Sequence, residues 1–148
     1  MNVIDQTHVR PAVSKDFEAV VKLLQSENLP TEDISEDLSH FFVIERSGNI
    51  IAVIGLEVYG KEGLLRSLVV DQHYRNQSLA TTLLNKLLLH AAEQRIGTIY
   101  LITTTAEKYF AAKKFSVINR TEVPLSISSS QEFSTLCPST ATVMSRKL

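Results

Sequence analysis

The sequence predicts an α/β fold: a mixed, mostly antiparallel sheet with helices on both faces and one strand–helix–strand parallel crossover. Three observations carry that prediction. Strand patterns from residue 41 to 70 are broken only by short turns, which reads as an antiparallel meander. A 3.6-residue apolar period takes over at Ser78–Gln94. A β-branched strand follows at Thr98–Thr103, so segment 64–103 is a crossover that creates a parallel pair. The chain of 148 residues is 44% hydrophobic with a net charge of −1. That is the size and composition of a single domain, residues 1–148, whose core needs no disulfide or metal.

Each element has its own signal. Residues 7–13 read as a short strand, and Pro11, lacking an N–H, puts it at the sheet edge. Ser14 is the expected N-cap of a helix over 15–26, with Phe17, Val20, Val21 and Leu24 on its apolar face. Asn28-Leu29-Pro30 ends it. Ser35–His40 is expected to form a second short helix that touches the core through Ile34, Leu38 and Phe41. Phe41–Glu45 is the next strand, Ser47-Gly48-Asn49 a turn, and Ile50–Tyr59 a long strand. Ile50–Leu56 is apolar on both faces and therefore central. Gly60-Lys61-Glu62-Gly63 is expected as a four-residue loop with a turn glycine at each end, and Leu64–Val70 as the next strand.

Helix Ser78–Gln94 carries Leu79, Leu83, Leu84, Leu87, Leu88 and Ala91 on one face, and Gly97 is placed as its left-handed cap. Beyond strand 98–103, Ala106–Lys114 reads as a helix and Phe115–Arg120 as a strand. Val123–Ser130 reads as a loop, Ser130–Leu136 as a helix stopped by Pro138, and Ala141–Arg146 as a last strand that closes the sheet.

Composition also excludes functions. The longest apolar run, Ile50–Leu56, is seven residues, against about 20 for a membrane span, so no membrane is expected. Met1-Asn2-Val3-Ile4-Asp5 lacks the pattern of a signal peptide. Cys137 stands alone and reads as a structural thiol. A cytoplasmic, reducing setting is expected. A near-neutral chain without a block of Lys and Arg points away from nucleic acid. His8, His40, His73 and His90 are scattered, so no metal site is expected.

The segment richest in chemistry is Leu68-Val69-Val70-Asp71-Gln72-His73-Tyr74-Arg75-Asn76-Gln77-Ser78-Leu79-Ala80. An apolar strand ends, a polar loop follows, and a long helix starts at once. The first amides of that helix have no intrahelical partner and carry the positive end of its dipole. With Arg75 in the loop, this is a candidate pyrophosphate site.

Here the sequence resembles a family. Arg75-x-x-Ser78-x-Ala80 resembles the acetyl-CoA signature of the GNAT N-acetyltransferases, Arg/Gln-x-x-Gly-x-Gly/Ala. Ala106-Glu107-Lys108-Tyr109-Phe110-Ala111-Ala112-Lys113-Lys114-Phe115 resembles that family's second motif, Ala-x-x-Phe/Leu-Tyr-x-x-x-Gly-Phe. The element order, β-α-α-β-β-β-α-β-α-β-(α)-β, is similar to that of the GNAT fold from residue 7 to 147. Shorter pieces are similar to the acetyltransferase-like proteins associated with arsenic-resistance operons. They are Gly55-Leu56-Glu57-Val58-Tyr59-Gly60, Leu64-Leu65-Arg66-Ser67, Thr103-Thr104-Thr105-Ala106 and Glu132-Phe133-x-x-Leu136-Cys137-Pro138.

The resemblance implies acetyl-CoA as co-substrate and a small amine or amino-acid-like acceptor, in a monomer or homodimer. It implies that Leu68, Val69 and Val70 offer strand backbone to the pantetheine arm and the thioester carbonyl. Arg75, Asn76, Gln77, Ser78, Leu79 and Ala80 would wrap the pyrophosphate, and Thr81 would add a hydroxyl. The departures are Ser78 and Lys114 at glycine positions, Gln72 at a proline position, and Phe110 where the motif has a tyrosine acid. Phenylalanine donates no proton.

The residues themselves add candidates. Glu57, at the end of the long central strand, is the candidate base for the attacking amine. With 60–63 as the loop it falls opposite Arg66, which then pairs with it, orients it, or binds a substrate carboxylate. Ser67 is a candidate catalytic hydroxyl and Thr104 a substrate contact, standing in for the missing acid through water. The competing reading of Ser67 and Thr103–Thr105 is local backbone satisfaction. Tyr59 and Tyr109 read as packing residues. The rival function is a CoA-binding or sensing module with little catalysis, and a third is a fold kept for protein contacts.

Overall fold

Alternation between strand and helix periods in the sequence becomes seven strands in a computed structural model that describes residues 8–75, 78–130, 133 and 140–148. The strands are β1 (His8–Pro11), β2 (Phe41–Arg46), β3 (Asn49–Tyr59), β4 (Glu62–Val70), β5 (Thr98–Thr103), β6 (Ser116–Val117) and β7 (Thr142–Lys147). The α-helices among the described residues are α1 (Phe17–Ser26), α2 (Leu79–Glu93), α3 (Glu107–Ala112) and α4 (Leu125–Ser128). The sheet order is β1-β2-β3-β4-β5-β7-β6, with β4 and β5 parallel and the rest antiparallel. This is the mixed, mostly antiparallel sheet with a parallel crossover that the sequence predicts. No helix of the described residues is long and apolar enough to cross a membrane.

The chain divides into two compact units, one of residues up to Gly55 with Ser67–Leu89, the other of Leu56–Arg66 with His90–Leu148. In the first, Val20, Leu23 and Leu24 of α1 pack with Phe41, Val43, Val53 and Val69 of the strands. β1 is the edge strand, as Pro11 requires, and pairs His8 with Glu45 through Pro11 with Phe42. Ser14 caps no helix: Ser14–Asp16 is a 3₁₀ turn ahead of α1, and Asp16, at the N-cap position of α1, makes no side-chain capping bond to it. The Asp16 carboxylate accepts from the Val13 N–H at 2.8 Å and from Arg10 at 2.8 and 3.0 Å. The bond from Arg10 holds that carboxyl below the usual carboxylate range.

Residues 35–40 form turns instead of the expected helix. Leu38 and His40 take φ of 52° and 63°, left-handed values that interrupt a right-handed helix. Ile34, Leu38 and Phe41 still enter the core. Gly55 faces Phe41 across the β2–β3 ladder, and a Cβ there would lie 2.6 Å from the Phe41 ring.

In the second unit, β4 pairs Glu62 with Thr98 through Leu64 with Tyr100 of β5. β7 lies between β5 and the two-residue β6, so the last strand inserts into the sheet rather than closing its edge. The β3–β4 turn is tighter than expected: Gly60 and Lys61 make it, and Gly63 is already strand. A Cβ on Gly63 would lie 3.0 Å from Leu56 and 3.3 Å from Ile96, so packing fixes this glycine. The expected loop 123–130 instead holds α4, preceded by a 3₁₀ turn at Arg120–Glu122. Val123 and Ile127 thereby join Leu64, Phe133 and Val143 in the core. Apart from Ser130 and Phe133, the expected helix 130–136 and Cys137 lie outside the described residues.

α1, α2 and α3 end alike. Asn28, Arg95 and Lys114 are left-handed (φ 60°, 63° and 73°). The next residue's N–H bonds back five positions: Leu29 to Leu24, Ile96 to Ala91, Phe115 to Phe110. Arg95, not Gly97, is therefore the left-handed residue after α2, and the Gly97 N–H bonds the Lys61 carbonyl at 2.8 Å.

Gly55→Ala is expected to destabilise by about 1–3 kcal/mol in urea unfolding, because the Phe41 ring is itself buried and has to move. A neutral result would mean that the ring does not cover the glycine.

Candidate active site

The phosphate-loop candidate lies in the first unit. β4 ends at Val70, and the Asp71 N–H bonds the Ile51 carbonyl at 2.7 Å. The Asp71 carboxylate turns back to accept from the His73 N–H at 2.9 Å and lies 3.0 Å from its Nδ1. Those bonds, the backbone one first, hold the Asp71 carboxyl below the usual range. The result is a 3₁₀ turn at Gln72–Tyr74 that points the chain toward α2. Leu68 and Val70 are half-buried, while Val69 between them is core.

Arg75 is not a loose cation. Its Nε donates to the Val70 carbonyl at 3.2 Å, and a terminal nitrogen pairs with Glu27 at 2.8 Å. Ser78 is exposed at φ 61°, and its carbonyl accepts from the N–H and hydroxyl of Thr82 at 3.1 and 3.0 Å. The motif's glycine thus has a backbone reason: the residue before the helix must be left-handed, which costs an L-residue roughly 1–2 kcal/mol. Leu79 is buried as the anchor of α2, and Ala80 and Thr81 are half-buried. Asn76 and Gln77 lie outside the described residues.

The second unit holds the carboxylate. Glu57 accepts from Arg66 at 2.6 Å on Oε2 and from the Tyr59 phenol on Oε1. The Arg66 side chain is 2% exposed and that of Glu57 24%. The expected pairing of Glu57 and Arg66 is therefore present, even though the turn that joins their strands is shorter than expected. Burial first, then the bond to Glu57, pushes the Tyr59 phenol up to about 12, so it stays a donor at neutral pH. A side-chain hydrogen bond with Ser130 works against that rise.

Other candidates separate. Ser67 is buried and left-handed (φ 60°) inside β4, a strained backbone position of the kind that collects at functional sites. Thr103 caps the turn into α3, its hydroxyl accepting from the Ala106 and Thr105 N–H groups at 2.9 and 3.3 Å, so the backbone reading holds for it. Thr104 is exposed on that turn. Phe110 is 5% exposed and makes edge contacts with Tyr109 and Phe115 at 5.2 and 5.5 Å between ring centres. Sequence reasoning missed Tyr59, Ser130 and Glu27. Tyr59 had a signal: two residues from Glu57, it lies on the same face of the strand.

Among known proteins, the model of the acetyltransferase (GNAT) family matches residues 8–115. The amino-acid acetyltransferase of Aliivibrio fischeri (strain ATCC 700601 / ES114) is 26% identical over 96 residues, 64% of this chain and 22% of that protein. That of Mannheimia succiniciproducens is 24% identical over 133 residues, 84% of this chain and 30% of that protein. The chain thus spans under a third of the length of these relatives. Among solved structures, N-acetylglutamate synthase from Neisseria gonorrhoeae, complexed with coenzyme A and N-acetyl-glutamate, has a TM-score of 0.83 at 18% identity, covering 99% of this chain and 36% of that one. Rv2747 from Mycobacterium tuberculosis, in complex with CoA, has a TM-score of 0.82 at 21% identity, covering 95% and 99%. These likenesses show a shared fold.

Ser78→Gly is expected to raise stability by about 0.5–1 kcal/mol in urea unfolding, because glycine takes the left-handed turn without a Cβ clash. No gain would contradict the strain assigned to Ser78.

Proposed function

The chain belongs to the acetyltransferase (GNAT) family, and on that premise we propose that it transfers the acetyl group of acetyl-CoA to the amine of a small, amino-acid-like acceptor. The curated relatives bear the name amino-acid acetyltransferase, and solved structures of the same fold hold CoA. Both support this reading. In it, the helix-start amides of Ser78, Leu79 and Ala80, the Thr81 hydroxyl and the Arg75 guanidinium take the pyrophosphate, with Arg75 exchanging Glu27 for phosphate. Leu68, Val69 and Val70 line the pantetheine arm through their backbone. Arg66 orients Glu57, Ser67 lends its hydroxyl to the reacting centre, and Thr104 contacts the acceptor.

The reaction needs three things: a neutral amine, orientation of two substrates, and donors for the developing oxyanion. The amine nitrogen attacks the thioester carbonyl, the C–N bond forms, and the C–S bond breaks to release CoA thiolate. Glu57 takes the amine proton. The observation that carries the reading is the state of Glu57, partly open to solvent while its partner Arg66 is buried. A carboxylate fixed from behind and open in front is built to accept a proton.

One thiol, Cys137, does not chelate a trivalent soft centre. An arsenic connection suggested by the narrower resemblance would therefore run through a small-molecule substrate or through operon context. The lone cysteine supports a reducing, cytoplasmic setting. The second reading, a CoA-binding module with little turnover, is favoured by Phe110, a buried hydrocarbon where the family motif has an acid.

Thiol release from acetyl-CoA in the presence of amino acids and small amines checks the proposal. Wild type is expected to turn over an amino-acid-like amine. Glu57→Gln is expected to lose about 10²-fold or more in kcat, with acetyl-CoA affinity changed by less than about twofold. The amide of that variant still offers Arg66 a carbonyl acceptor, and a thermal melt shows whether the fold survives. Full activity in Glu57→Gln removes Glu57 as the base. Binding of acetyl-CoA with no turnover selects the second reading.

A further inference from the structure

The Glu57 carboxylate is held from two sides, and only one of them follows from the ion pair. Arg66 occupies Oε2 at 2.6 Å. The Tyr59 phenol occupies Oε1. Ser130, two residues past α4, also hydrogen-bonds the phenol. The Tyr59 phenol donates to Glu57, and the Ser130 hydroxyl accepts from the Phe133 N–H at 3.2 Å.

The carboxylate has about four lone-pair sites. Arg66 and Tyr59 use one on each oxygen, which fixes the carboxylate plane and leaves one site on each oxygen for a substrate ammonium. Tyr59 packs against the core cluster that includes Leu64, Ile127 and Val143, so the phenol is held by the core as well as by its bond to Glu57. The packing expected of Tyr59 is therefore correct for the ring and leaves out the hydroxyl.

We propose that Tyr59 is a positioning residue for proton transfer: its phenol holds the Glu57 carboxylate in the orientation that receives the proton of the attacking amine. This rests on the reading of Glu57 as the base. The proton passes from the amine to Glu57, and Tyr59 keeps its own proton throughout.

The test is a double-mutant cycle on the full chain with acetyl-CoA and whichever amine wild type turns over. Tyr59→Phe keeps the ring and deletes the donor. It is expected to lower kcat roughly tenfold, the loss of one charge-assisted hydrogen bond, with acetyl-CoA KM and thermal midpoint nearly unchanged. In the Glu57→Gln background the same change is expected to cost less than about twofold, because the group it positions is gone. Ser130→Ala, which leaves the strand and ring intact, is expected to cost roughly two- to fivefold in wild type and nothing further in Glu57→Gln. It serves as the test if Tyr59→Phe melts early. Full activity in Tyr59→Phe beside a crippled Glu57→Gln overturns this inference alone, as do losses that multiply in the double variant. Full activity in Glu57→Gln, or no turnover by wild type, overturns the underlying reading and this inference with it. A readout free of turnover is the ¹³Cζ-tyrosine resonance absent from Tyr59→Phe, which is expected to move in Glu57→Gln. A resonance that stays put shows no bond between the two side chains and overturns the inference.

Discussion

A buried guanidinium needs a counter-charge, and that constraint organises the candidate chemistry. The Arg66 side chain is 2% exposed and cannot shed its proton. Removing the partner of a buried charge costs about 3–5 kcal/mol, although a buried pair adds little net stability over well-packed hydrocarbon. Glu57 is thus tied to this position by more than function. What function requires is the asymmetry: the arginine lies inside while the carboxylate keeps a quarter of its surface. The interaction that anchors Glu57 leaves it available.

Backbone conformation is the second constraint. Ser67 and Ser78 bracket the Leu68–Val70 strand end and the loop after it, and both are left-handed without being glycine. Strain of this size persists only where the surroundings over-determine it. At Ser78 the left-handed residue stands directly before the start of α2. At Ser67 the chain kinks inside a strand directly after Arg66. Both lie where a thioester ligand is proposed, whereas the left-handed Asn28, Arg95 and Lys114 merely finish helices.

The sequence made the periodic elements legible because burial imposes the periods. β2, β3, β5 and α2 fall within a residue or two of expectation. Errors occur where a local choice is made by φ rather than by hydrophobicity. The 35–40 turns, Arg95 in place of Gly97, and the two-residue Gly60-Lys61 turn belong to this group. α4 was invisible because four residues make barely one turn, too few for the apolar spacing to repeat, and only tertiary packing of Ile127 reveals it. In the site, Glu57 and Arg66 were legible as a cross-strand pair. Glu27 and Ser130 were not: each meets its partner through the fold, 48 and 71 residues away in sequence from Arg75 and Tyr59.

Binding of the co-substrate is the step on which every role above depends. Calorimetric titration of the purified chain with acetyl-CoA, with CoA and ATP as controls, measures it directly. The account predicts micromolar binding with acetyl-CoA preferred over ATP. No heat of binding at millimolar acetyl-CoA would contradict it, leaving the fold in place and the acetyltransferase reading without its co-substrate.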